Sequence, residues 1–216
     1  MTASTLLLLA ALMQHQGQQH HDPQHSFADT DQWVQEFENA ERDAQQKPDE
    51  VVRALNLSPG DDVADIGAGT GYFARRFAKA VGDTGIAYAV DLEPNMLRYV
   101  AERAQKDGQT NIVPVLATAS SPMLAPDSVD LFFICNTIHH IGNRQAYYKI
   151  LAQDLRAGGR LAIVDFRKDA ELTHGPDKTM RLAREALIDE LTQAGFRLTQ
   201  EHDFLPAQYF LIFEED

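Results

Sequence analysis

Three glycines and an aspartate make up the segment of this sequence whose residue types and spacing best suit ligand binding. Asp65 stands at the end of an apolar run, and Gly67, Gly69 and Gly71 follow at alternate positions. Glycine tolerates positive φ and lets a ligand approach the backbone, because it has no Cβ. The N–H groups of a helix that begins just after the glycines add a weakly positive end. The segment therefore predicts a binding turn between a strand and a helix, with Asp65 placed to receive an ammonium group.

A dinucleotide-binding turn, Gly-x-Gly-x-x-Gly, is the alternative for these glycines. Counted from Gly67, its third glycine position holds Tyr72, which is too large for the close helix–strand contact that the turn requires. A second acid, Asp91, ends the next apolar run, where its carboxylate could accept hydrogen bonds from ribose hydroxyls. The alternative for Asp91 is that it caps a helix that begins near Pro94.

A second group of polar residues follows the apolar run Val129–Cys135. Its sequence is Asn-Thr-Ile-His-His, which ends in His139 and His140. Histidine can serve as a general base near neutral pH, so either residue is a candidate for proton transfer. The alternative is that the histidines cap a helix or bond with the backbone.

Hydrophobic periodicity predicts the elements that position these residues. Strands are predicted at Val63–Ile66, Ile86–Val90, Ile112–Leu116, Val129–Cys135, Arg160–Phe166, Phe196–His202 and Gln208–Phe213. Helices are predicted between them at Tyr72–Val81, Pro94–Lys106, Arg144–Leu155 and Glu185–Ala194. This alternation favours a doubly wound α/β fold, with a parallel sheet covered on both faces. The last two strands are separated only by a short turn, so one of them is expected to pair antiparallel.

The composition limits the possible functions. The chain has 216 residues, and its 19 Lys and Arg against 32 Asp and Glu give a formal net charge of −13. Because nucleic acids and anionic membranes are bound by clustered cations, we expect neither as a partner. The single cysteine, Cys135, excludes an intramolecular disulfide and a multi-cysteine metal site, and we expect no metal. The length favours one domain with added segments over two complete domains.

The predicted organisation has three parts. They are a low-complexity or signal-like tail at residues 1–27, a helical cap at residues 28–57 and an α/β domain at residues 58–216. Within the tail, Leu6–Met13 is apolar, but no Lys or Arg precedes it and it is too short to span a membrane. A weak secretory signal, a helix docked on the body and a disordered tail are all open interpretations. The cap is expected to hold helices at Asp29–Ala44 and Pro48–Leu55.

The run VADIGAGTGYFARRFAKAVGDTGIAYAVDLEPNML, which contains both acids and the three glycines, resembles a known family. It is similar to the cofactor-binding half of the Rossmann-like (class I) S-adenosylmethionine-dependent methyltransferases, and the resemblance extends over about residues 46–213. It implies a seven-stranded, mostly parallel sheet whose last strand is antiparallel, and S-adenosyl-L-methionine as the cofactor. By position, the glycines would line the methionine part, Asp65 would receive the amino group and Asp91 would bind the ribose.

Three further cofactor contacts are implied by the same resemblance, and a fourth, at Leu92, by its position directly after Asp91. Leu92 would cover one face of the adenine, and Asn136 would lie beside the methionine and the sulfonium. Thr118 stands where many relatives have an acid that faces the adenine amine, and a hydroxyl accepts that bond more weakly. The stretch Arg42–Pro48 resembles a segment that folds over the cofactor in a bacterial subgroup, which makes Gln46 a candidate contact.

The resemblance also implies a reaction. Methyl transfer from a sulfonium needs mainly alignment of the acceptor, with a base only where the acceptor must lose a proton. His139 matches a position where an acid or histidine recurs in small-molecule methyltransferases. The sequence therefore predicts a methyltransferase for a small-molecule acceptor, with O, N or C as the accepting atom left open. The alternatives are a regulatory protein that binds S-adenosylmethionine without turnover and a nucleotide-cofactor oxidoreductase.

The expected cofactor also bears on location and partners. S-adenosylmethionine is made and held in the cytoplasm, so we expect a cytoplasmic protein, with export through a weak N-terminal signal as the alternative. The expected partner is a small-molecule methyl acceptor. We expect no stable insertion into a membrane, and the oligomeric state is left open.

Overall fold

The computed structural model describes residues 30–171 and 175–216, so the predictions for residues 1–27 lie outside the described ranges. The helices are α1 (Thr30–Phe37), α2 (Ala40–Gln46), α3 (Pro48–Ala54), α4 (Ala74–Val81), α5 (Pro94–Lys106), α6 (Arg144–Asp154) and α7 (Arg184–Gln193). The strands are β1 (Val63–Ile66), β2 (Ala87–Asp91), β3 (Ile112–Leu116), β4 (Val129–Cys135), β5 (Leu155–Phe166), β6 (Phe196–His202) and β7 (Gln208–Glu215). None of the described helices is long and apolar enough to cross a membrane.

The seven strands form one sheet in the order β3-β2-β1-β4-β5-β7-β6. Strands β1 to β5 pair in parallel, whereas β7 runs antiparallel to both β5 and β6. The predicted doubly wound, mostly parallel sheet with an antiparallel last strand is therefore confirmed. The chain moves outward from β1 to β3 and then returns to β4 on the other side of β1. In such sheets ligands bind at this switch point, outside the carboxyl ends of the strands.

Both faces of the sheet are covered by apolar side chains. On one face Val51 of α3 and Phe77 of α4 are fully buried in a cluster with the side chains of alternate strand residues. On the other face Tyr148 of α6 and Leu187 of α7 are fully buried in a second cluster. Because α3 contributes to the first cluster, the segment before β1 is packed into the same core as the sheet.

The structure differs from the sequence prediction in the N-terminal helices, at the start of α4 and at the start of β5, which begins at Leu155 rather than at Arg160. The helix expected at Asp29–Ala44 is divided into two, because Asn39 caps the second helix by accepting a hydrogen bond from Arg42 N at 2.8 Å. The helix expected to begin at Tyr72 begins at Ala74 instead. The backbone after the glycines therefore continues as a turn for longer than periodicity indicated.

Candidate functional site

The glycine turn after β1 is held by the neighbouring strand β2. The φ angles of Gly67, Gly69 and Gly71 are +73°, +54° and +75°, all in the left-handed region. The N–H groups of Gly67 and Ala68 donate to Val90 O at 2.8 and 3.1 Å. A residue with a Cβ is strained at such φ angles, so the path of this turn depends on glycine.

Each glycine faces a different neighbour. A Cβ on Gly67 would lie 2.3 Å from Thr137 Oγ1, and one on Gly71 would lie 3.1 Å from a valine side chain of α5. A Cβ on Gly69 would lie 3.6 Å from the Phe37 ring, which is an ordinary van der Waals contact. The space for a side chain is therefore taken at position 67 and narrow at position 71. At Gly69 a Cβ would fit, because this residue borders the space under α1. That the three glycines line the methionine part of a cofactor stays a prediction.

Substitution Gly67→Ala should lower the free energy of unfolding by about 2–5 kcal/mol, since overpacking costs about 1–3 kcal/mol and a positive φ about 1–2 kcal/mol. Urea denaturation measures this loss. Gly142→Ala is the matched control, because its Cβ would meet nothing within 4 Å and its φ lies outside the left-handed region. We expect that control to change stability by less than about 0.5 kcal/mol. Equal stability of the two variants would contradict the contact with Thr137.

Asp65 is buried at the end of β1, with 3% of its surface exposed. Its Oδ2 accepts a hydrogen bond from Ala74 N at 3.0 Å, at the start of α4. Burial raises the pKa of Asp65 to about 7, and the charge of Asp91 adds to the rise. The Ala74 N–H and the Arg42 guanidinium oppose it. A carboxyl group that titrates near neutrality can change its protonation when a cation binds beside it.

Asp91 lies at the end of β2 and bonds with two backbone groups. Its Oδ2 accepts a hydrogen bond from Gly69 N at 2.8 Å, and its Oδ1 accepts one from Glu93 N at 2.9 Å. The second bond lies before α5, whose N-cap residue is Glu93 and not Asp91, so the helix-cap alternative for Asp91 is wrong. Burial raises the pKa of Asp91, while these two hydrogen bonds oppose the rise. Each carboxylate oxygen keeps a second lone pair, so the group can still accept hydrogen bonds from hydroxyls.

The two predicted adenine contacts lie near the ends of β2 and β3. Ala117 N donates to Asp91 O at 2.9 Å and joins the two strand ends. Leu92 and Thr118 follow these residues, and both are exposed. The Thr118 hydroxyl lies 3.4 Å from Ser121 O within its own loop. Their exposed positions are compatible with a flat ring beside them, and the contacts themselves stay predictions.

An unsatisfied polar atom, Thr70 Oγ1, lies inside the glycine turn. It is buried and has no hydrogen-bond partner in the part of the chain that the structure describes. Buried polar groups normally have one, so this hydroxyl is available to a ligand that enters the turn. Thr70, the carboxyl groups of Asp65 and Asp91, and the missing Cβ of Gly69 fit a ligand with an ammonium group and sugar hydroxyls. S-adenosylmethionine, which the sequence resemblance implies, has both.

His139 forms a buried pair with Asp165 at the ends of β4 and β5. His139 Nδ1 lies 2.8 Å from Asp165 Oδ2 and 3.0 Å from Oδ1, and the two side chains are 2% and 0% exposed. Asp165 Oδ1 also accepts a hydrogen bond from Phe166 N at 2.7 Å. The ring of His140 lies 4.2 Å from that of His139. The structure thus brings together the predicted base and an acid that fixes its orientation.

The Asp165 carboxylate determines which nitrogen of His139 can act as a base. An ionised carboxylate only accepts hydrogen bonds, so Nδ1 of the neutral imidazole must carry the hydrogen. The lone pair is then on Nε2, which is the atom that can take a proton from an acceptor. Asp165 therefore holds His139 in the tautomer that a general base needs.

Gln46 lies in a buried network rather than on the open surface. Its Nε2 donates to Gln208 Oε1 at 2.8 Å, and its Oε1 accepts from Arg42 Nε and Nη2 at 3.3 Å each. Gln208 Nε2 donates in turn to Asn136 Oδ1. The predicted site residues Gln46 and Asn136 are thus joined through Gln208. The sequence prediction missed Gln208 and Arg42, although a polar residue at the start of the apolar strand β7 was a usable signal.

Contacts from the N-terminal helices hold them over the glycine turn. The Arg42 guanidinium lies 3.9 Å from the centre of the Tyr72 ring. Tyr72 OH donates to Asp43 Oδ1 at 2.5 Å, and Arg75 of α4 pairs with Glu38 at 2.5 Å. These contacts tie α1 and α2 to the start of α4, directly after the turn.

The part of the chain that contains the glycine turn and most of the sheet is similar to a known protein family. A family model described as a methyltransferase domain matches residues 57–204. Two curated relatives are the ubiquinone/menaquinone biosynthesis C-methyltransferases UbiE of Hydrogenovibrio crunogenus and Laribacter hongkongensis. They are 29% and 32% identical to this chain over 119 residues, or 55% of its length. The matches cover 47% and 48% of those relatives, so the chain spans about half the length of the curated proteins it matches.

Solved structures share the fold. The crystal structure of a SAM-dependent methyltransferase from Aquifex aeolicus matches with a TM-score of 0.79 and 23% identity, covering 84% of this chain and 96% of that one. An S-adenosylmethionine-dependent methyltransferase from Mesorhizobium loti matches with a TM-score of 0.61 and 15% identity, covering 76% and 95% of the two chains. At these identities the similarity concerns the fold alone.

Proposed function

Because this chain belongs to the Rossmann-like (class I) S-adenosylmethionine-dependent methyltransferases, we propose that it methylates a small-molecule acceptor whose proton is taken by His139. The observation that carries the proposal is the buried pair of His139 and Asp165 at the carboxyl edge of the sheet. Family membership decides against the nucleotide-cofactor oxidoreductase. The names of the curated relatives, which are methyltransferases of ubiquinone and menaquinone biosynthesis, and the net charge of −13 favour a small acceptor over a nucleic acid.

The residues of the turn would hold the cofactor in the proposed enzyme. Asp65 would receive the ammonium group, Asp91 the ribose hydroxyls, and Thr70 would offer its free hydroxyl to the same ligand. When bound, S-adenosylmethionine supplies an electrophilic methyl group on a sulfonium. Helices α1 and α2, tied down through Arg42 and Tyr72, would keep water from the turn and limit the size of the acceptor.

His139 would perform the proton transfer in the proposed reaction. Its Nε2 accepts the acceptor's proton, while Nδ1–H stays bonded to the Asp165 carboxylate. The imidazolium that forms is then paired with a buried negative charge, which stabilises it. We propose a cytoplasmic location on the ground that the cofactor is held there. Fractionation that finds the protein outside the cytoplasm would contradict it.

A transfer assay tests the proposed function directly. The protein is incubated with S-adenosylmethionine carrying a labelled methyl group and with separate sets of hydroxylated aromatics, amines and thiols. Gain of one labelled methyl group by a small compound, detected by mass spectrometry, is the expected result. Label that appears only in proteins or nucleic acids of a cell extract would overturn the small-molecule proposal.

Substitution Asp91→Ala should raise the dissociation constant for S-adenosylmethionine about tenfold or more, because a charge-assisted hydrogen bond contributes about 1.5–3 kcal/mol. Isothermal titration calorimetry measures the constant. Asp49→Ala is the matched control, since the Asp49 side chain is 90% exposed on α3. Unchanged affinity in Asp91→Ala would rule out the ribose contact.

A further inference from the structure

The hydrogen bonds to Gln46 fix the orientation of its amide group. Arginine offers N–H donors only, and Arg42 Nε and Nη2 both lie 3.3 Å from Gln46 Oε1. The Cys135 thiol donates to the same atom at 3.4 Å. Burial raises the pKa of Cys135 to about 12, so the thiol keeps its hydrogen at neutral pH. An atom that receives these donors must be the oxygen, and Gln46 Nε2 must point the other way.

The orientation of the Gln46 amide determines the orientations of two further side-chain amides, those of Gln208 and Asn136. Gln46 Nε2 donates to Gln208 Oε1 at 2.8 Å, which leaves Gln208 Nε2 to donate to Asn136 Oδ1. Gln46 and Gln208 are 4% and 3% exposed, so each has few alternative partners. The oxygen of Asn136 is therefore occupied. Its Nδ2 has no hydrogen-bond partner among residues 30–171 and 175–216.

Asn136 lies between the glycine turn and the His139 pair. Its φ is +55°, a strained value for a residue with a Cβ, and its N–H donates to Val164 O at 2.9 Å. The next residue, Thr137, fills the space beside Gly67. The strand pairing places Gln208 opposite Phe166, directly after the acid that holds His139. The donor of Asn136 and the base are thus on one loop at one edge of the sheet.

We propose that the chain of hydrogen bonds from Arg42 through Gln46 and Gln208 makes Asn136 a donor to an oxygen of the methyl acceptor, in place of the cofactor contact that the sequence resemblance implies for this side chain. The enzyme would then select acceptors that carry a hydroxyl group, such as phenols and enols, over acceptors that carry only an amine. This proposal rests on the proposed function. It adds to that function the class of acceptor and the residues that set it.

The proposed reaction begins with the loss of the acceptor's proton. The O–H bond of the acceptor breaks, its proton goes to His139 Nε2, and its electron pair stays on the oxygen. Asn136 Nδ2 donates a hydrogen bond to that oxygen and stabilises the developing negative charge. The electron pair of the oxygen forms the new bond to the methyl group, while the bond from that methyl group to sulfur breaks and its electron pair leaves on the sulfur of S-adenosylhomocysteine. Where a ring carbon conjugated with the oxygen attacks instead, the hydrogen of that carbon then leaves to solvent as a proton and restores the ring. A neutral amine needs its lone pair for attack, and a donor placed against it would compete for that pair.

Two substitutions separate the donor role of Asn136 from a structural role. In Gln208→Glu, an ionised carboxylate can only accept, so the Asn136 amide should reverse and donate to it. In Asn136→Asp, the bond from Gln208 is kept but the donor is lost. Gln200→Glu is the matched control, because Gln200 is exposed on the neighbouring strand β6. Gln46 and Gln208 are positioning residues, so a direct readout of the Asn136 amide is needed.

Nuclear magnetic resonance at pH 8 provides that readout. In the native protein saturated with S-adenosylhomocysteine, we expect the side-chain NH₂ of Asn136 to exchange rapidly with solvent. In Gln208→Glu its exchange should slow about tenfold or more, with the affinity for S-adenosylhomocysteine changed by less than about threefold. Protection of this group already in the native protein would overturn the proposal. A tenfold loss of S-adenosylhomocysteine affinity in Gln208→Glu would also overturn it, because Asn136 would then serve the cofactor.

The acceptor class is tested with 1-naphthol and catechol against benzylamine. We expect transfer to the hydroxylated compounds and a loss of about tenfold or more in kcat in Asn136→Asp and Gln208→Glu, with Gln200→Glu like the native protein. Equal transfer to benzylamine, or native activity in Asn136→Asp, would overturn the proposal. Transfer to no compound of either kind would count against the proposed function instead. The exchange of the Asn136 amide would still decide the direction of the hydrogen bonds.

Discussion

Substitution His139→Asn should lower kcat for methyl transfer roughly 10²- to 10⁴-fold while leaving S-adenosylmethionine affinity nearly unchanged. Asparagine Nδ2 takes the place of His139 Nδ1 and can still donate to the Asp165 carboxylate, so the buried acid keeps a partner and the fold is retained. What is lost is the lone pair at Nε2, and with it the route by which the acceptor's proton leaves. Single-turnover kinetics with the acceptor found in the transfer assay measures this loss, and calorimetry measures cofactor affinity.

Substitution His140→Asn is the matched control for His139→Asn. The two histidines are adjacent and their rings lie 4.2 Å apart, but His139 bonds with the buried Asp165 carboxylate, whereas His140 is exposed. We expect His140→Asn to change kcat by less than about fivefold, which is about 1 kcal/mol. An equal loss in both variants would show that the loop, and not proton transfer at His139, is responsible.

Substitution Asp165→Asn should be nearly as harmful as loss of His139, with kcat lowered about a hundredfold or more. An amide at this position can donate to Nδ1, and the hydrogen of the neutral imidazole then moves to Nε2. The base is lost although the ring keeps its place. A variant that retains native kcat would show that Asp165 only anchors the backbone of Phe166.

The sheet was predictable from the sequence because each of its strands has a local pattern. Short apolar runs such as Val63–Ile66 and Val129–Cys135 alternate with helical periodicity, and this order dictates a parallel sheet with its ligand site at one edge. The division of the first helix was less visible. The hydrophobic pattern continues through Asn39, and only the structure shows that its side chain accepts a hydrogen bond from Arg42 N and caps a new helix.

The site was only partly predictable, because its remaining contacts join residues far apart in the sequence. Gln46 and Gln208 are 162 residues apart and yet form one buried hydrogen bond. His139 follows one predicted strand and Asp165 lies near the end of another, but their pairing depends on the register between β4 and β5. Periodicity predicts neither a register nor the direction of a side chain at a strand end. The direction of the Asn136 amide follows from this network and has no local signal at all.

Binding of S-adenosylmethionine should release about one proton per cofactor at pH 6 and almost none at pH 8.5, if Asp65 receives the ammonium group. Burial raises the pKa of Asp65 to about 7 in the free protein, so at pH 6 most of this carboxyl is protonated. An ammonium group beside it favours the charged form and lowers its pKa. Affinity should therefore rise up to tenfold for each pH unit between about 5 and 7.

The titration of Asp65 should also change the free energy of unfolding, in the direction opposite to its effect on S-adenosylmethionine affinity. The folded-state pKa of Asp65 lies above the value of about 3.9 for an unfolded chain, so between these values the folded protein holds more protons. The free energy of unfolding of the cofactor-free protein should then fall as pH rises from about 4 to 7, by at most about 1.4 kcal/mol per pH unit. Urea denaturation across this range measures the slope. Loss of the Asp65 proton thus raises the affinity for S-adenosylmethionine and lowers the stability of the cofactor-free protein.

Substitution Asp65→Asn should remove the proton release and weaken S-adenosylmethionine binding about 10²- to 10³-fold, since loss of one partner of a buried charge pair costs about 2–5 kcal/mol. Asparagine Oδ1 can still accept the Ala74 N–H, so α4 keeps its cap. Calorimetry in buffers of different ionisation enthalpy counts the protons. Asp91 also has a raised pKa and stays in the variant, so any release that persists would belong to it. Full proton release with native affinity in Asp65→Asn would show that the ammonium group lies beside Asp91 and not beside Asp65.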